Sequence, residues 1–188
     1  MRAVERRSSA RRWHGSAAPT RRRFLALTAG GVLAAVGGCL TDPSSGGPPY
    51  EIHEIDDGPV YRPGLQATGE RAYFAALVTT EEEIDAFDLD RLPRAADREF
   101  LESVDFATEL LGVIQVSGVP STYGYRVPDV SLSDVNLTVI AVLEGDTPAT
   151  VDAVISTLLV RVTRTSGSTP ARISVELDVD GDHEIFSG

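Results

Sequence analysis

The chain has 188 residues, enough for one sizeable domain, and carries 17 Lys+Arg against 28 Asp+Glu. All of the basic residues are Arg, which excludes chemistry that requires a lysine, such as a Schiff base or a phosphate-binding P-loop. The single cysteine excludes an intrachain disulfide and a cysteine-rich zinc site.

The charge is divided unevenly along the chain. Eight arginines lie in the first 23 residues, which leaves 9 Arg against 27 acidic residues from Phe24 onward. A body this negative repels phosphates, so nucleic-acid binding is not expected. The missing lysine and the excess of carboxylates resemble proteins of extremely halophilic archaea, where molar salt shortens the Debye length to ~3 Å. An ordinary acidic protein is the alternative.

The N-terminus predicts an export signal. A threonine, three arginines, a phenylalanine and a leucine form the pattern [Ser/Thr]-Arg-Arg-x-Phe-Leu of a twin-arginine signal, with the key positions at Arg21, Arg22, Phe24 and Leu25. The moderately apolar run that follows, residues 24–36, is too short for a permanent bilayer span of ~20 residues.

The apolar run ends in Val-Gly-Gly-Cys, which resembles the lipobox of a lipoprotein signal. We expect residues 1–38 to be removed and Cys39, the only cysteine, to carry a lipid. A cleaved secretory signal with a coincidental cysteine, or an uncleaved anchor, are the alternatives. The predicted location is therefore the cell membrane, lipid-anchored through Cys39 and facing the extracellular side.

Residues 39–68 predict a flexible acidic tether, because they begin with a run rich in Pro, Ser and Gly that cannot bury a core. Within it, His53, Glu54, Asp56 and Asp57 are residue types that ligate transition metals. The expected lack of a rigid scaffold argues against a metal site there.

The folded domain is expected over residues 69–180, followed by an acidic tail, residues 181–188. A strand is predicted over 71–79, a capping box at Thr80 and Glu83 opens a short helix, and 95–103 permits a second one. Further strands are predicted over 110–116, 123–130, 136–144 and 155–165. Strict alternation from Ala171 to Asp180 predicts a last strand with one buried face. The expected class is α+β, mainly β: an antiparallel sheet or sandwich with one or two short helices inserted after the first strand.

Several short motifs resemble a known family. Val104-Asp105-Phe106 precedes an apolar strand, Gly118 lies in the next loop, and Gly124-Tyr125 opens the following strand. With the amphipathic last strand, these features resemble the C-terminal domain of the protease-complex subunit PrcB, over roughly Glu70 to Val179. The resemblance implies a small, mostly β, extracytoplasmic domain without an active site, often on a lipoprotein.

No catalytic or cofactor-binding motif is recognisable. The two histidines of the mature chain, His53 and His183, lie in the predicted loose ends, so a Ser-His-Asp relay inside the domain lacks its base. Paired carboxylates are expected to be a solvated face. The tail from Asp178 to Glu184 does not match the spacing of an EF-hand loop. We therefore expect no catalytic residue, no metal and no cofactor.

One group of residues suggests a partner-binding surface. Tyr123, Tyr125 and Arg126 follow a Gly-Val-Pro-Ser-Thr loop, and Tyr and Arg are enriched at binding hot spots. The alternative is that Tyr125 fills core space and Tyr123 covers a sheet edge. The leading hypothesis is a non-catalytic accessory or protein-interaction module with an extracytoplasmic protein partner. The alternative function is a small solute-capturing lipoprotein of an uptake system.

Overall fold

The computed structural model describes residues 47–55, 58–146, 152–164 and 169–188. The predicted export signal, with Arg21, Arg22, Phe24 and Leu25, and the predicted lipidation site Cys39 lie outside these residues. Within them the elements are β1 (Tyr50–Ile55), β2 (Ala72–Val78), two short 3-10 helices (Glu81–Ala86 and Leu89–Arg91), α1 (Ala95–Glu102), β3 (Glu109–Pro120), β4 (Gly124–Leu132), β5 (Asn136–Glu144), β6 (Ala153–Thr163), β7 (Arg172–Val179) and β8 (Asp182–Ser187).

The strands form two stacked sheets. The first has the order β1-β6-β3-β2 with antiparallel pairing throughout, and the second has the order β4-β5-β7-β8. In the second sheet β5 and β7 run parallel, while the other two pairs are antiparallel. The predicted mainly β class with short helices is thus confirmed, but one sheet is mixed. Parallel pairing arises because the chain enters the first sheet as β6 before it returns as β7.

The main core lies between the sheets. As the alternation predicts, the apolar residues of β7 are fully buried, namely Ile173, Val175, Leu177 and Val179. The sheets approach closely at Gly112 on β3, where an added Cβ would lie 3.0 Å from Ile173 and 3.2 Å from Leu137. Residue 112 therefore sets part of the spacing between the layers.

A second core lies on the outer face of the first sheet, under the helical segment. Phe87, Phe100 and Leu101 pack there against Leu111 and Val113 of β3. The capping box is confirmed, since the Glu83 carboxylate accepts the Thr80 amide at 3.1 Å. The helices after β2 thus complete a three-layer arrangement of helices, first sheet and second sheet.

The fold begins earlier than the sequence suggests. Strand β1 pairs along its whole length with β6, from Tyr50 opposite Val162 to Ile55 opposite Thr157. Ile55 and Val60 are fully buried. The prediction of a flexible tether as far as residue 68 is therefore wrong from Tyr50 onward. Tertiary pairing with β6, a hundred residues away, orders a segment whose own composition is polar.

The end of the chain also belongs to the sheet. Residues 182–187 form β8, paired with β7, where an unstructured acidic tail was expected. The connection is a two-residue turn in which Asp180 and Gly181 have φ of 55° and 92°. Asp-Gly is a strong signal for such a hairpin, because both residues tolerate positive φ. The predicted tail is corrected to an edge strand.

Candidate functional site

The two tyrosines of the predicted partner-binding surface are buried. Tyr123 and Tyr125 are each only 7% exposed and belong to the core between the sheets. The Tyr123 hydroxyl donates to a carboxylate oxygen of Asp180 at 2.7 Å, and the Tyr125 hydroxyl lies 3.4 Å from the Ser156 carbonyl oxygen. Both rings are committed to internal contacts, in line with the alternative that they fill the core and cover its edge.

Arg126, the third residue of the predicted group, is exposed. Its guanidinium lies 3.6 Å from the Glu144 carboxylate on the outer face of the second sheet, and its backbone is opposite Val142. The structure thus separates the predicted group, because alternate residues of a strand point to opposite faces. One member remains available to a partner.

That outer face combines apolar and acidic side chains. Ile140 on β5 and Ile185 on β8 both stand opposite Glu176 of the intervening strand β7. One step along, Val142 stands opposite Asp178, which in turn is opposite His183. Ile140, Val142 and Ile185 share a shallow depression with Asp178, His183 and Glu184.

Ile185 is the most prominent residue of this face. Its side chain is 78% exposed, and the one other large apolar residue exposed among those described is Val135 at 63%. Val135 lies in the turn before β5, whereas Ile185 borders the depression that Ile140 and Val142 also line. An exposed apolar residue continuous with an apolar depression is typical of a contact surface, while an isolated one is not.

The β7–β8 hairpin that carries Ile185 is held by polar contacts at its turn. The Asp178 side chain accepts the Gly181 amide at 2.7 Å, and Tyr123 reaches the turn through Asp180. At the opposite end of β8, Phe186 stacks on Tyr73 of β2 with ring centroids 5.3 Å apart. The strand is therefore fixed at both ends, although one of its long edges has no strand neighbour among the described residues.

A second notable cluster surrounds the buried carboxylate Asp97 on α1. Its side chain has no exposed area, and one oxygen lies 2.7 Å from Nε2 of His53 on β1. The other oxygen accepts the backbone amide of Arg94 at 2.9 Å, while the Arg94 Nε donates at 2.9 Å to the first. Burial tends to raise the pKa of Asp97, but the hydrogen bonds from Arg94 and His53 outweigh it and hold that pKa below its ordinary value.

His53 is flanked by further contacts. Its ring stacks on Phe100 with centroids 4.6 Å apart, and the Arg161 guanidinium lies 4.8 Å from the centre of the same phenylalanine ring. Arg161 also forms an ion pair with Glu51 on β1. Aromatic stacking, cation–π contact and ion pairs thus join β1, β6 and α1.

The placement of His53 in a loose tether is therefore wrong. A histidine hydrogen-bonded to a buried carboxylate is the orienting half of a nucleophilic relay. Within the described part of the chain, however, Asp97 is the one side-chain hydrogen-bond partner of His53, so no serine or threonine hydroxyl completes the relay. The contact joins α1 to β1. A sequence signal for it was missing, because 44 residues separate the two side chains.

The described residues contain neither a metal-binding cluster nor a membrane-spanning helix. No group of three or more His, Cys, Asp or Glu side chains there is arranged to hold a metal ion. Among the same residues, no helix has the length and apolar character that crossing a bilayer demands.

Comparisons with known proteins were made with family models, with curated proteins and with solved structures. No family model, no curated protein and no solved structure matches the chain.

Proposed function

We propose that this chain is a non-catalytic, lipid-anchored extracytoplasmic domain that binds another protein through the outer face of its second sheet. The observation that carries the proposal is the exposed Ile185 beside the depression lined by Ile140 and Val142. Arg126 lies on the same face, and it is one of the three residues for which the sequence predicts a partner contact. Mixed faces of this kind, with an apolar centre and a charged rim, are typical of protein interfaces.

The anchoring part of the proposal rests on the sequence. Arg21 and Arg22 lie in the twin-arginine pattern, and Cys39 is the single cysteine at the end of the apolar run. Two acyl chains on one cysteine would each contribute ~0.8 kcal/mol per buried CH₂, which makes attachment lasting. The domain would then meet partners in or near the same membrane.

The non-catalytic part is supported by the His53 cluster. The imidazole is hydrogen-bonded to Asp97 and stacked on Phe100, and the neighbouring Arg161 is engaged with Glu51. These groups join three elements of the fold, which accounts for their burial and pairing without a reaction.

Site-specific photo-crosslinking in intact membranes tests the binding face. A photoreactive phenylalanine analogue is introduced at Ile185 and, as a matched control, at Val135, the other exposed apolar position. We expect a cross-linked product of higher mass from position 185 and none from position 135. Absence of a product at 185, or equal products at both positions, would contradict the proposed face.

A further inference from the structure

We propose, on the basis of that binding function, that the partner adds an extended, arginine- or lysine-bearing segment to the free edge of β8 as a fifth strand of the second sheet. The proposal combines the direction of the β8 backbone groups, the side chains on each face of the strand, and the local charge.

The pairing register shows which backbone groups of β8 are free. Ile173 and Gly188 exchange both backbone hydrogen bonds, at 3.0 and 3.1 Å. In an antiparallel pair, hydrogen-bonded and non-hydrogen-bonded positions alternate. Gly188 is a hydrogen-bonded position, and the orientation alternates back along β8 from there. The N–H and C=O groups of Ser187, Ile185 and His183 therefore point away from β7. They form a ladder that an added strand can complete.

The opposite edge of the same sheet, strand β4, is contacted by side chains of β1. On β4, the Tyr125 amide donates to the Glu54 carboxylate at 3.2 Å, and the Val127 carbonyl accepts the Tyr50 hydroxyl at 2.9 Å. Side chains of β1 thus occupy that edge. Among the described residues, no corresponding side-chain hydrogen bond reaches the outward backbone groups of β8. The two edges of one sheet therefore differ in their availability.

Side chains along β8 suit an added strand. His183, Ile185 and Ser187 lie on the exposed outer face, while Phe186, which points the other way, stacks on Tyr73 of β2. Phe186 thus holds the strand against β2 on its inner face, while Ile185 is exposed next to the free backbone groups. A partner strand would place an apolar side chain beside Ile185 and extend the depression on this face.

The negative charge of the β7–β8 hairpin favours a basic partner segment. The hairpin carries Glu176, Asp178, Asp180, Asp182 and Glu184. Within the described part of the chain, none of these five forms an ion pair with an arginine. Of these five, Asp182 and Glu184 lie on β8 itself, so arginine or lysine side chains on an incoming strand would stand opposite these two carboxylates, and such cross-strand pairs are stabilising. The other three lie on β7 or in the turn and add to the negative charge of the hairpin.

A second copy of the chain fits this edge poorly. If β8 paired with β8 of another molecule, two hairpins that each carry five carboxylates would be brought side by side, and in registers centred on His183 or Glu184 acidic residues of the two copies would face each other, which is destabilising. A basic segment of a different protein is therefore the occupant that the edge favours.

The test uses the full-length chain and a defined peptide. The probe is an eight-residue peptide with alternating arginine and valine, and its counterpart has glutamate in place of arginine. Amide hydrogen exchange of the wild-type protein is measured with each peptide in moderate KCl. We expect the arginine peptide to slow exchange at the amides of His183, Ile185 and Ser187 at least tenfold, and the glutamate peptide to leave exchange unchanged.

Two variants separate backbone from side-chain binding. Ile185→Pro removes one outward N–H and leaves the β7 ladder in place, whereas Ile185→Ala shortens the side chain and keeps the N–H. We expect Ile185→Pro to weaken peptide affinity at least tenfold and Ile185→Ala to weaken it less. Equal affinities for the two variants, or no slowed exchange in the wild type, would overturn strand addition. The exchange measurement needs no variant, so it decides the question even if the proline variant does not fold.

The outcomes also distinguish this inference from the proposed function. A cross-linked partner at position 185 together with unprotected β8 amides would leave the binding face in place and overturn strand addition. Slow exchange of these amides without any peptide, accompanied by dimers in sedimentation, would identify a second copy as the occupant and would overturn the basic segment.

Discussion

Removal of the Asp97 carboxylate is expected to destabilise the domain strongly. Breaking a buried ion pair by removing one partner costs about 3–5 kcal/mol, because the other charge loses its partner inside the protein. Here the partners keep some contact with water, since the side chains of Arg94 and His53 are 52% and 20% exposed. We therefore expect Asp97→Asn to lower the free energy of unfolding by about 2–3 kcal/mol.

Urea unfolding at constant KCl, followed by far-ultraviolet circular dichroism, measures this change. For a slope of about 2 kcal/mol per molar urea, the midpoint should fall by about 1 M. Asp90→Asn is the matched control, because the Asp90 side chain is fully exposed and lies 3.6 Å from Arg98 in a surface ion pair. We expect no measurable change for that control.

The same carboxylate predicts how stability depends on acid. The pKa of Asp97 is lower in the folded protein than its ordinary value of 3.8, so its contribution is complete above that value and is lost as the pH falls further. Wild-type stability should therefore decline more steeply below about pH 4 than that of Asp97→Asn. The role assigned to this cluster would be refuted if the free energy of unfolding of Asp97→Asn were within about 0.5 kcal/mol of wild type at neutral pH and its decline below about pH 4 were the same as that of wild type.

Three further predictions concern packing and charge. Gly64→Ala should cost about 2–3 kcal/mol, because its Cβ would lie 1.8 Å from Oε1 of the buried Gln115, while Gly124→Ala, with 3.7 Å to its nearest neighbour, should be tolerated in the same urea assay. Tyr123→Phe should lose about 1 kcal/mol with the hydrogen bond to Asp180, and a melting temperature equal to wild type would contradict that contact. Thermal stability should rise from low to multi-molar KCl, since 27 acidic residues face 9 Arg from Phe24 onward, and a flat or falling curve would refute the halophilic interpretation.

Much of the fold was predictable where the sequence pattern is local. Strand β5 was predicted at its observed bounds, residues 136–144, and the alternation of β7 identified its buried face. The capping box at Thr80 located the first short helix. In each case the signal depends on neighbouring residues: a period of two for strands and a hydroxyl with a carboxylate three positions later for the helix.

The missed elements depend on contacts distant in sequence. Strand β1 alternates Tyr50 and Ile52 with charged residues, but a Pro- and Gly-rich run precedes it and its partner β6 lies about a hundred residues later. The contact of His53 with Asp97 is not predictable for the same reason, because the two residues are distant in sequence. Strand β8 is a different kind of error, because its Asp180-Gly181 hairpin signal is local and predicts a tight turn between two strands.

The tyrosines show why a candidate site is harder to predict than a strand. Residue type suggested that Tyr123, Tyr125 and Arg126 act together, yet successive residues of a strand face opposite sides. Burial of the two rings leaves the outer face to residues from three other strands, among them Ile140 and Ile185. Sequence pattern assigns a face to each residue, but the sheet order that brings faces together requires the structure.

The earlier start of the fold also sharpens the prediction about the anchor. Tyr50 lies only eleven positions after Cys39, so even a fully extended link between them spans at most ~40 Å. A tether continuing to residue 68 would reach more than twice as far. A domain held this close to the bilayer would be confined to partners in the membrane or within a few nanometres of it.

Cys39→Ser tests the anchor without disturbing the domain, because the substitution precedes the first described strand by eleven residues. We expect the variant to remain uncleaved or to be released into the medium, since the lipid that holds the wild type is absent. Its urea midpoint should equal that of wild type, which serves as the control for folding. If the variant is processed and still sediments with membranes as the wild type does, Cys39 is not the anchor, and the short link no longer limits where partners lie.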